Sequence, residues 1–136
     1  MKLTRSTDFA LRVLLSLAGS DRKVTNGELS RTLNLSPHHL YKIVQVLSRQ
    51  GYLRTLPGRG GGVVLGRPPE EVSLLEVIEL MEGPISLTDC LVNLEGCCLS
   101  RNCLLKGKME MAQERMRDVF RSTTIRDLVG EKGRMG

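Results

Sequence analysis

The 136-residue sequence predicts a mainly α-helical fold with one small β-hairpin. Three observations support this fold class. A longer first helix precedes a short helix, a tight turn and an amphipathic helix; two β-prone runs flank a glycine-rich turn; and a long amphipathic segment lies near the C-terminus. The first two features form the pattern of a winged helix-turn-helix, and the third is typical of a dimerisation helix.

Residues 4–18 predict the first helix. Apolar side chains recur at helical spacing within this segment. Either Thr4 or Ser6 can cap its start, and Gly19 can end it.

Residues 26–33 predict a short second helix, and the segment after it predicts the recognition helix of a helix-turn-helix. Ser36 is a favourable N-cap, Pro37 suits the first helical position, and Gly51 can close the C-terminus. Apolar residues at i, i+3, i+4 and i+7 give this helix a buried face. They are Leu40, Ile43, Val44 and Leu47.

Residues 52–65 predict a β-hairpin, the wing of a winged helix. The β-prone runs Tyr52–Arg54 and Val63–Leu65 flank the segment TLPGRGGG, which carries Arg59 at its tip. Glycine has the conformational freedom to bring this backbone close to a phosphate or into a DNA groove. A nucleotide-binding loop is disfavoured, because the segment lacks the Lys-Ser/Thr ending of a P-loop and does not open a helix.

The chain is expected to divide into four parts. Residues 1–67 form the winged domain, residues 68–103 a linker helix and a cysteine-rich loop, residues 104–129 the dimerisation helix, and residues 130–136 a disordered tail. The terminal helix has a long apolar stripe and little chain left to cover it, which predicts a symmetric dimer; the alternative is packing on its own subunit. The stripe comprises Leu105, Met109, Ala112, Met116 and Val119.

Charge is distributed unevenly along the sequence. Residues 1–67 carry eleven Lys/Arg against three Asp/Glu, a net charge of +8, whereas residues 68–136 carry nine against twelve, a net charge of −3. This asymmetry favours contact of the first half with a polyanion, although a generic basic protein would also fit.

The sequence also bears on the cellular compartment. No run approaches the roughly 20 apolar residues of a membrane span. Asp8 and Arg12 interrupt the apolar N-terminal stretch that a signal peptide would need. We therefore expect a cytoplasmic protein whose cysteines are free thiols or metal ligands.

All four cysteines lie within fourteen residues, in the run DCLVNLEGCCLSRNC. They are Cys90, Cys97, Cys98 and Cys103. Thiolates grouped in this way can hold a soft metal ion or an iron–sulfur cluster. A structural zinc site is a weaker fit, because zinc knuckles use paired C-x₂₋₄-C spacing and the intervals here are six, zero and four residues.

A metal-free redox sensor and an enzyme are two other functional classes. A metal-free redox sensor could use the adjacent Cys97 and Cys98 or an intersubunit disulfide. An enzyme is disfavoured, because the sequence offers no Ser/His/Asp set, no credible pair of catalytic carboxylates and no nucleotide fingerprint.

The run RQGYLRTLPGRGGGVVLGRPPEEVSLLEVIELMEG, with the cysteine-rich segment after it, resembles the Rrf2 family of bacterial transcription regulators. The resemblance covers residues 1–129. It implies a homodimer that binds palindromic double-stranded operator DNA. In members with three cysteines it also implies a [2Fe–2S] or [4Fe–4S] cluster that senses nitric oxide, iron or cluster supply.

The resemblance implies Cys90, Cys97 and Cys103 as the cluster ligands. Cys98 stands where the family usually has proline, so it is a bystander, an alternative ligand or a redox-active thiol. The second half of the chain has no histidine, whereas members similar to the cluster-biogenesis regulator use a histidine just after the third cysteine.

Asp8 matches an aspartate of the first helix that, in the nitric-oxide-sensing members, completes the site from the other subunit. The alternative for Asp8 is a first-turn acid that stabilises the helix N-terminus. The resemblance favours a nitric-oxide-responsive repressor that binds DNA with its cluster and releases DNA when the cluster is nitrosylated or lost. A sensor of iron or of cluster supply stays open.

The DNA contacts are expected to come from two elements. The helix over residues 36–50 would enter the major groove, and Arg59 at the wing tip would enter the minor groove. Candidate contacts to base edges or phosphates on the helix are His38, His39, Tyr41, Lys42 and Gln45, and candidate phosphate contacts elsewhere are Lys2, Arg5 and Arg54.

Overall fold

The structure is a computed structural model that describes residues 2–87 and 103–130. The predicted mainly helical fold with a two-stranded antiparallel hairpin is confirmed. The elements are α1 (Arg5–Ala18), α2 (Asn26–Leu33), α3 (Pro37–Arg49), β1 (Leu53–Leu56), β2 (Gly62–Leu65), a 3₁₀ turn (Pro69–Glu71), α4 (Leu74–Glu82), α5 (Leu104–Ser122) and α6 (Ile125–Val129). Cys90, Cys97 and Cys98, and the predicted disordered tail after Gly130, lie outside the described residues.

Side-chain caps set the starts of the helices. The Thr7 N–H donates to the Thr4 hydroxyl at 3.3 Å, so Thr4 rather than Ser6 caps α1. The His39 N–H donates to the Ser36 hydroxyl at 3.2 Å, and Pro37 occupies the first position of α3, as predicted. Each cap satisfies a backbone donor that the helix itself leaves unpaired.

The main core lies between α1, α2 and α3. Leu14 of α1 and Leu40 and Leu47 of α3 are almost fully buried there. Burial of a leucine side chain stabilises a fold by roughly 1.5–3 kcal/mol. Ile125 of α6 belongs to the same core, so the chain returns to pack against α1 after the long helix α5.

The wing contains a third paired segment that the sequence did not predict. β1 and β2 pair in antiparallel register from Leu53–Leu65 to Leu56–Gly62. Val24, in the link between α1 and α2, then pairs with Val63 of β2 through two backbone hydrogen bonds of 3.1 and 2.8 Å. The wing is therefore joined along one edge to the helical domain.

Helix α4 connects three other elements through three glutamates spaced three residues apart. Glu76 accepts hydrogen bonds from the Tyr52 hydroxyl at 2.9 Å and from Arg67 at 2.5 Å, both at the root of the wing. Glu79 pairs with Arg117 of α5. The third glutamate, Glu82, binds the start of α1.

Helix α5 is amphipathic, and only part of its apolar surface contacts its own subunit. Met116 and Phe120 pack against a second small core around Ile78. In contrast, Val119 is 60% exposed and Leu104 is 87% exposed. The predicted stripe is thus divided between the subunit's own core and solvent. No helix within residues 2–87 and 103–130 has the length and apolarity to cross a membrane.

The wing-root cluster, formed by Tyr52, Arg67 and Glu76, sets the ionisation of its own members. Burial opposes ionisation of Glu76, but hydrogen bonds from the Ser73 N–H, Arg67 and Tyr52 outweigh it and lower the pKa of Glu76 below its ordinary value. Burial and the Glu76 carboxylate raise the pKa of Tyr52. The Arg67 guanidinium also lies 5.3 Å from the centre of the Tyr52 ring.

We expect Glu76→Gln to lower the free energy of unfolding by about 1–3 kcal/mol at neutral pH, because it removes the charged acceptor that Arg67 and Tyr52 share. A lowered folded-state pKa means that ionised Glu76 stabilises the fold fully above its ordinary value of 4.5. This contribution is lost as the pH falls through the lower folded-state value. Urea denaturation between neutral and acid pH should show that the difference in unfolding free energy between variant and wild type disappears below the folded-state pKa of Glu76.

Glu70→Gln is the matched control, since Glu70 is exposed and has no ion pair or side-chain hydrogen bond within residues 2–87 and 103–130. We expect it to leave the unfolding free energy unchanged. Equal stabilities for the two variants at neutral pH would contradict a stabilising role for the wing-root cluster.

Candidate nucleic-acid interface and metal ligands

The recognition helix α3 separates a buried face from a polar one. Leu40, Ile43, Val44 and Leu47 all point into the core, as predicted. On the other side His38, Lys42 and Tyr41 are exposed, with Tyr41 at 57%, and Gln45 is half-buried. Free hydrogen-bonding side chains of this kind can meet base edges or phosphates.

His39 differs from the other candidates on α3 because it contacts α1. Its Nε2 lies 3.3 Å from the Ser6 hydroxyl, and its ring meets the Phe9 ring edge-on at 6.1 Å between centroids. It is half-buried. The side chain therefore holds α1 against the recognition helix, and the sequence pattern alone did not reveal this contact.

The wing and the N-terminus place further cations on the surface. Arg59 at the wing tip, Arg54 on β1, Lys2 and Arg5 are all exposed. The Arg5 guanidinium lies 5.9 Å from the centre of the Phe9 ring. These four side chains, like Lys42, form no ion pair within residues 2–87 and 103–130, so their charges are available to a polyanion.

Of the predicted thiolate ligands, the structure describes Cys103 alone. It caps α5, where its Sγ accepts a hydrogen bond from the Lys106 N–H at 3.4 Å. Hydrogen bonds to ligand sulfurs are one of the factors that set the potential of an iron–sulfur cluster. No group of three His, Cys, Asp or Glu side chains that could hold a metal ion occurs within residues 2–87 and 103–130.

Asp8 lies in the first turn of α1 with its side chain exposed. Its carboxylate lies 3.1 Å from Arg12 Nε, and its N–H donates to the Thr4 carbonyl at 3.1 Å. Both side chains of this ion pair are about half exposed, so the pair is weak and the carboxylate is accessible to another ligand.

Glu82 is the residue of this region that sequence reasoning missed. Its Oε2 accepts from the Thr4 N–H at 3.1 Å, from the Thr4 hydroxyl at 2.6 Å and from the Thr7 hydroxyl. Thr7 is fully buried. Hydrogen bonds from Thr4 and Thr7 lower the pKa of Glu82, although burial acts in the opposite direction.

A signal for this contact is visible in retrospect. A carboxylate in the last turn of a helix is repelled by the negative end of the helix dipole, and α4 has no basic residue in that turn. Donors from elsewhere stabilise the Glu82 carboxylate in this position, and the first turn of α1 supplies them.

Comparisons with known proteins agree with this architecture. Residues 3–131 match the family described as "Rrf2: Iron-dependent Transcriptional regulator". The HTH-type transcriptional regulator NsrR of Bacillus subtilis is 36% identical over 135 residues, which cover 97% of this chain and 92% of that protein.

Solved structures are also similar. CymR, the global cysteine regulator of B. subtilis, superimposes with a TM-score of 0.81 at 25% identity, covering 94% of this chain and 95% of that one. The oxidized form of Staphylococcus aureus CymR gives a TM-score of 0.78 at 26% identity, covering 96% and 97%.

Proposed function

Because the chain belongs to the Rrf2 family of transcriptional regulators, we propose that it is a repressor whose operator affinity depends on an iron–sulfur cluster and responds to nitric oxide. The observation that carries the proposal is the position of α1. This helix bears Asp8, touches the recognition helix through Ser6 and Phe9, and is bound by Glu82 at the end of α4, eight residues before Cys90.

DNA recognition would use the exposed cations and polar groups of α3 and the wing. His38, Tyr41, Lys42 and Gln45 of α3 face outward, where they can reach a major groove. Arg59 would enter a narrow minor groove, which attracts arginine. Lys2, Arg5 and Arg54 would contact phosphates and so raise affinity without reading sequence, and His39 would contribute mainly by holding α1 in place.

The donor set fits an iron–sulfur cluster. Cys90, Cys97 and Cys103 would supply thiolates, and Asp8 of a second copy of the chain would supply a carboxylate. The Sγ of Cys103 already accepts a backbone N–H, as thiolate ligands of such clusters do. When bound, a cluster supplies an iron that can take up a small ligand such as nitric oxide.

Contacts within the chain connect α1 directly to the DNA-binding face. Glu82 fixes the first turn of α1 through Thr4 and Thr7, and Asp8 lies one residue after Thr7. Ser6, in the same turn, contacts His39 of α3. A shift of this turn would reach the recognition helix through the Ser6–His39 contact as well as through the core that the two helices share. We expect the cluster-bound form to repress and the nitrosylated or cluster-free form to release DNA.

The proposal requires a homodimer, and α5 provides a surface for it. Leu104, Leu105, Met111 and Val119 are exposed on this helix. Exposed apolar side chains repeated along one helix are typical of a surface that a second helix covers.

Val119→Glu should convert the dimer to a monomer, because it places a charge on the exposed apolar face of α5. Val119→Leu keeps the apolar character and should remain dimeric. Sedimentation velocity at micromolar concentration measures the difference, and thermal unfolding checks that both variants fold. A dimeric Val119→Glu variant would show that this face is not the subunit interface.

The cluster is tested by measuring iron, acid-labile sulfide and zinc per subunit after purification without oxygen. We expect iron and sulfide in equal amounts, lost in Cys97→Ala and Cys103→Ala but retained in Cys98→Ala, because Cys98 is not a ligand. Zinc alone, or no metal in the wild type, would contradict the cluster. If Cys97→Ala retained iron and sulfide and Cys98→Ala lost them, the ligand would be Cys98 and not Cys97.

One other function has a specific observation in its favour. The chain is similar to the oxidized form of S. aureus CymR, and it carries the adjacent thiols Cys97 and Cys98. A metal-free regulator that responds through thiol oxidation would fit these facts. Metal-free protein that loses DNA affinity on mild oxidation and regains it with a thiol reductant would favour this second function.

A further inference from the structure

The link between α1 and α2 forms part of the wing. Val24 pairs with Val63 by two backbone hydrogen bonds, so the residue before it, Lys23, lies beside the glycine-rich turn. A Cβ added to Gly62 would lie 3.5 Å from the Lys23 Cβ and 3.0 Å from the Val24 carbonyl oxygen. The close approach of these two segments therefore depends on glycine at position 62.

The wing turn itself is tightly packed. A Cβ on Gly61 would lie 2.2 Å from the Leu56 carbonyl oxygen, which leaves no room for a side chain, and the Gly61 N–H donates to the Gly58 carbonyl at 3.0 Å. Gly58 and Gly60 have positive φ angles of 82° and 71°. The glycines thus give the turn a defined shape and not merely freedom to approach DNA.

This shape places the ammonium group of Lys23 next to the wing tip. The Lys23 Nζ lies 3.7 Å from the position that a Cβ on Gly60 would occupy, and Gly60 directly follows Arg59. Two exposed cations from distant parts of the chain therefore lie at one turn.

The charge of the Lys23 ammonium group is also available to bind an anion. Its neighbour Arg22 pairs with Glu28 at 3.1 Å and donates to the Lys23 carbonyl at 3.2 Å. Lys23 and Arg59 have no carboxylate partner within residues 2–87 and 103–130. An unpaired ammonium is a compact point charge suited to a phosphate, whereas the planar guanidinium of arginine suits a narrow groove.

We propose that Lys23 is a further DNA-contacting cation beside the wing tip, binding a backbone phosphate next to the groove that Arg59 enters. The inference rests on the proposed DNA binding and extends it to a residue outside the recognition helix and the hairpin. Because phosphate is common to all sequences, Lys23 should set affinity and salt dependence rather than sequence preference.

The test compares Lys23→Gln with Lys23→Arg, using a duplex that the wild-type protein selects from a random-sequence library. Arg126→Gln is the matched control, since it removes one positive charge from an exposed side chain on α6, outside the recognition helix, the wing and α5. Binding is measured by fluorescence anisotropy over a range of salt concentrations, and thermal unfolding confirms that each variant is folded.

We expect Lys23→Gln to weaken DNA binding about tenfold at low salt. It should also reduce the slope of the logarithm of the binding constant against the logarithm of salt concentration by up to about 2 per dimer, because each phosphate contact contributes about 0.9 and a dimer has two copies of Lys23. Lys23→Arg should retain most of both, and Arg126→Gln should match the wild type. The same relative loss is expected on an unrelated duplex.

Three results would overturn the inference. An unchanged slope in Lys23→Gln would show that Lys23 contacts no phosphate, even if affinity fell through a change in the wing. A loss of the same size in Arg126→Gln would show that the effect reflects only the net charge of the protein. Failure of the wild type to select any duplex would remove the proposed function itself, and this inference with it.

Discussion

The contact between Glu82 and the first turn of α1 is the interaction on which the rest of the arrangement depends. Thr7 is fully buried, and a buried hydroxyl without a partner is costly. Glu82 ends a helix whose dipole disfavours a carboxylate there. Each group supplies the other with a hydrogen-bond partner, so this contact joins the end of α4 to the start of α1.

This contact makes α1 the helix that links α4 to the recognition helix. On one side the helix is bound to α4, and α4 in turn holds the wing root through Glu76 and the long helix through Glu79. On the other side it touches the recognition helix through Ser6 and Phe9. Because its buried contacts already fix the helix, Asp8 is left at the surface with only a weak partner. A carboxylate in that position can take a ligand without breaking the fold.

The parts of this architecture that follow from local rules were predictable from the sequence. Ser36 caps α3 because a hydroxyl next to an unpaired helical N–H needs only its own neighbours, and Thr4 was one of two candidates for the cap of α1. The apolar spacing of α3 and the glycine turn of the wing are equally local. The fold class could therefore be predicted from these local patterns, and the resemblance of residues 49–83 with the cysteine segment implied the family.

The contacts between distant segments were not predictable in the same way. Pairing of Val24 with Val63, the packing of His39 on α1 and the three donors to Glu82 depend on where the helices meet. The division of the α5 stripe between core and surface has the same origin, because Met116 is covered only once α4 lies against it. Periodicity identifies an apolar face but does not say which neighbour covers it.

The most direct test of the account is the operator affinity of cluster-loaded wild type and Asp8→Ala, measured without oxygen before and after addition of nitric oxide. The account predicts that both proteins assemble a cluster. Wild type should bind tightly and release on nitric oxide, whereas Asp8→Ala should bind weakly throughout, because its α1 is no longer tied to the cysteine segment. An Asp8→Ala protein that binds and releases DNA like the wild type would contradict a role for α1 as the switch.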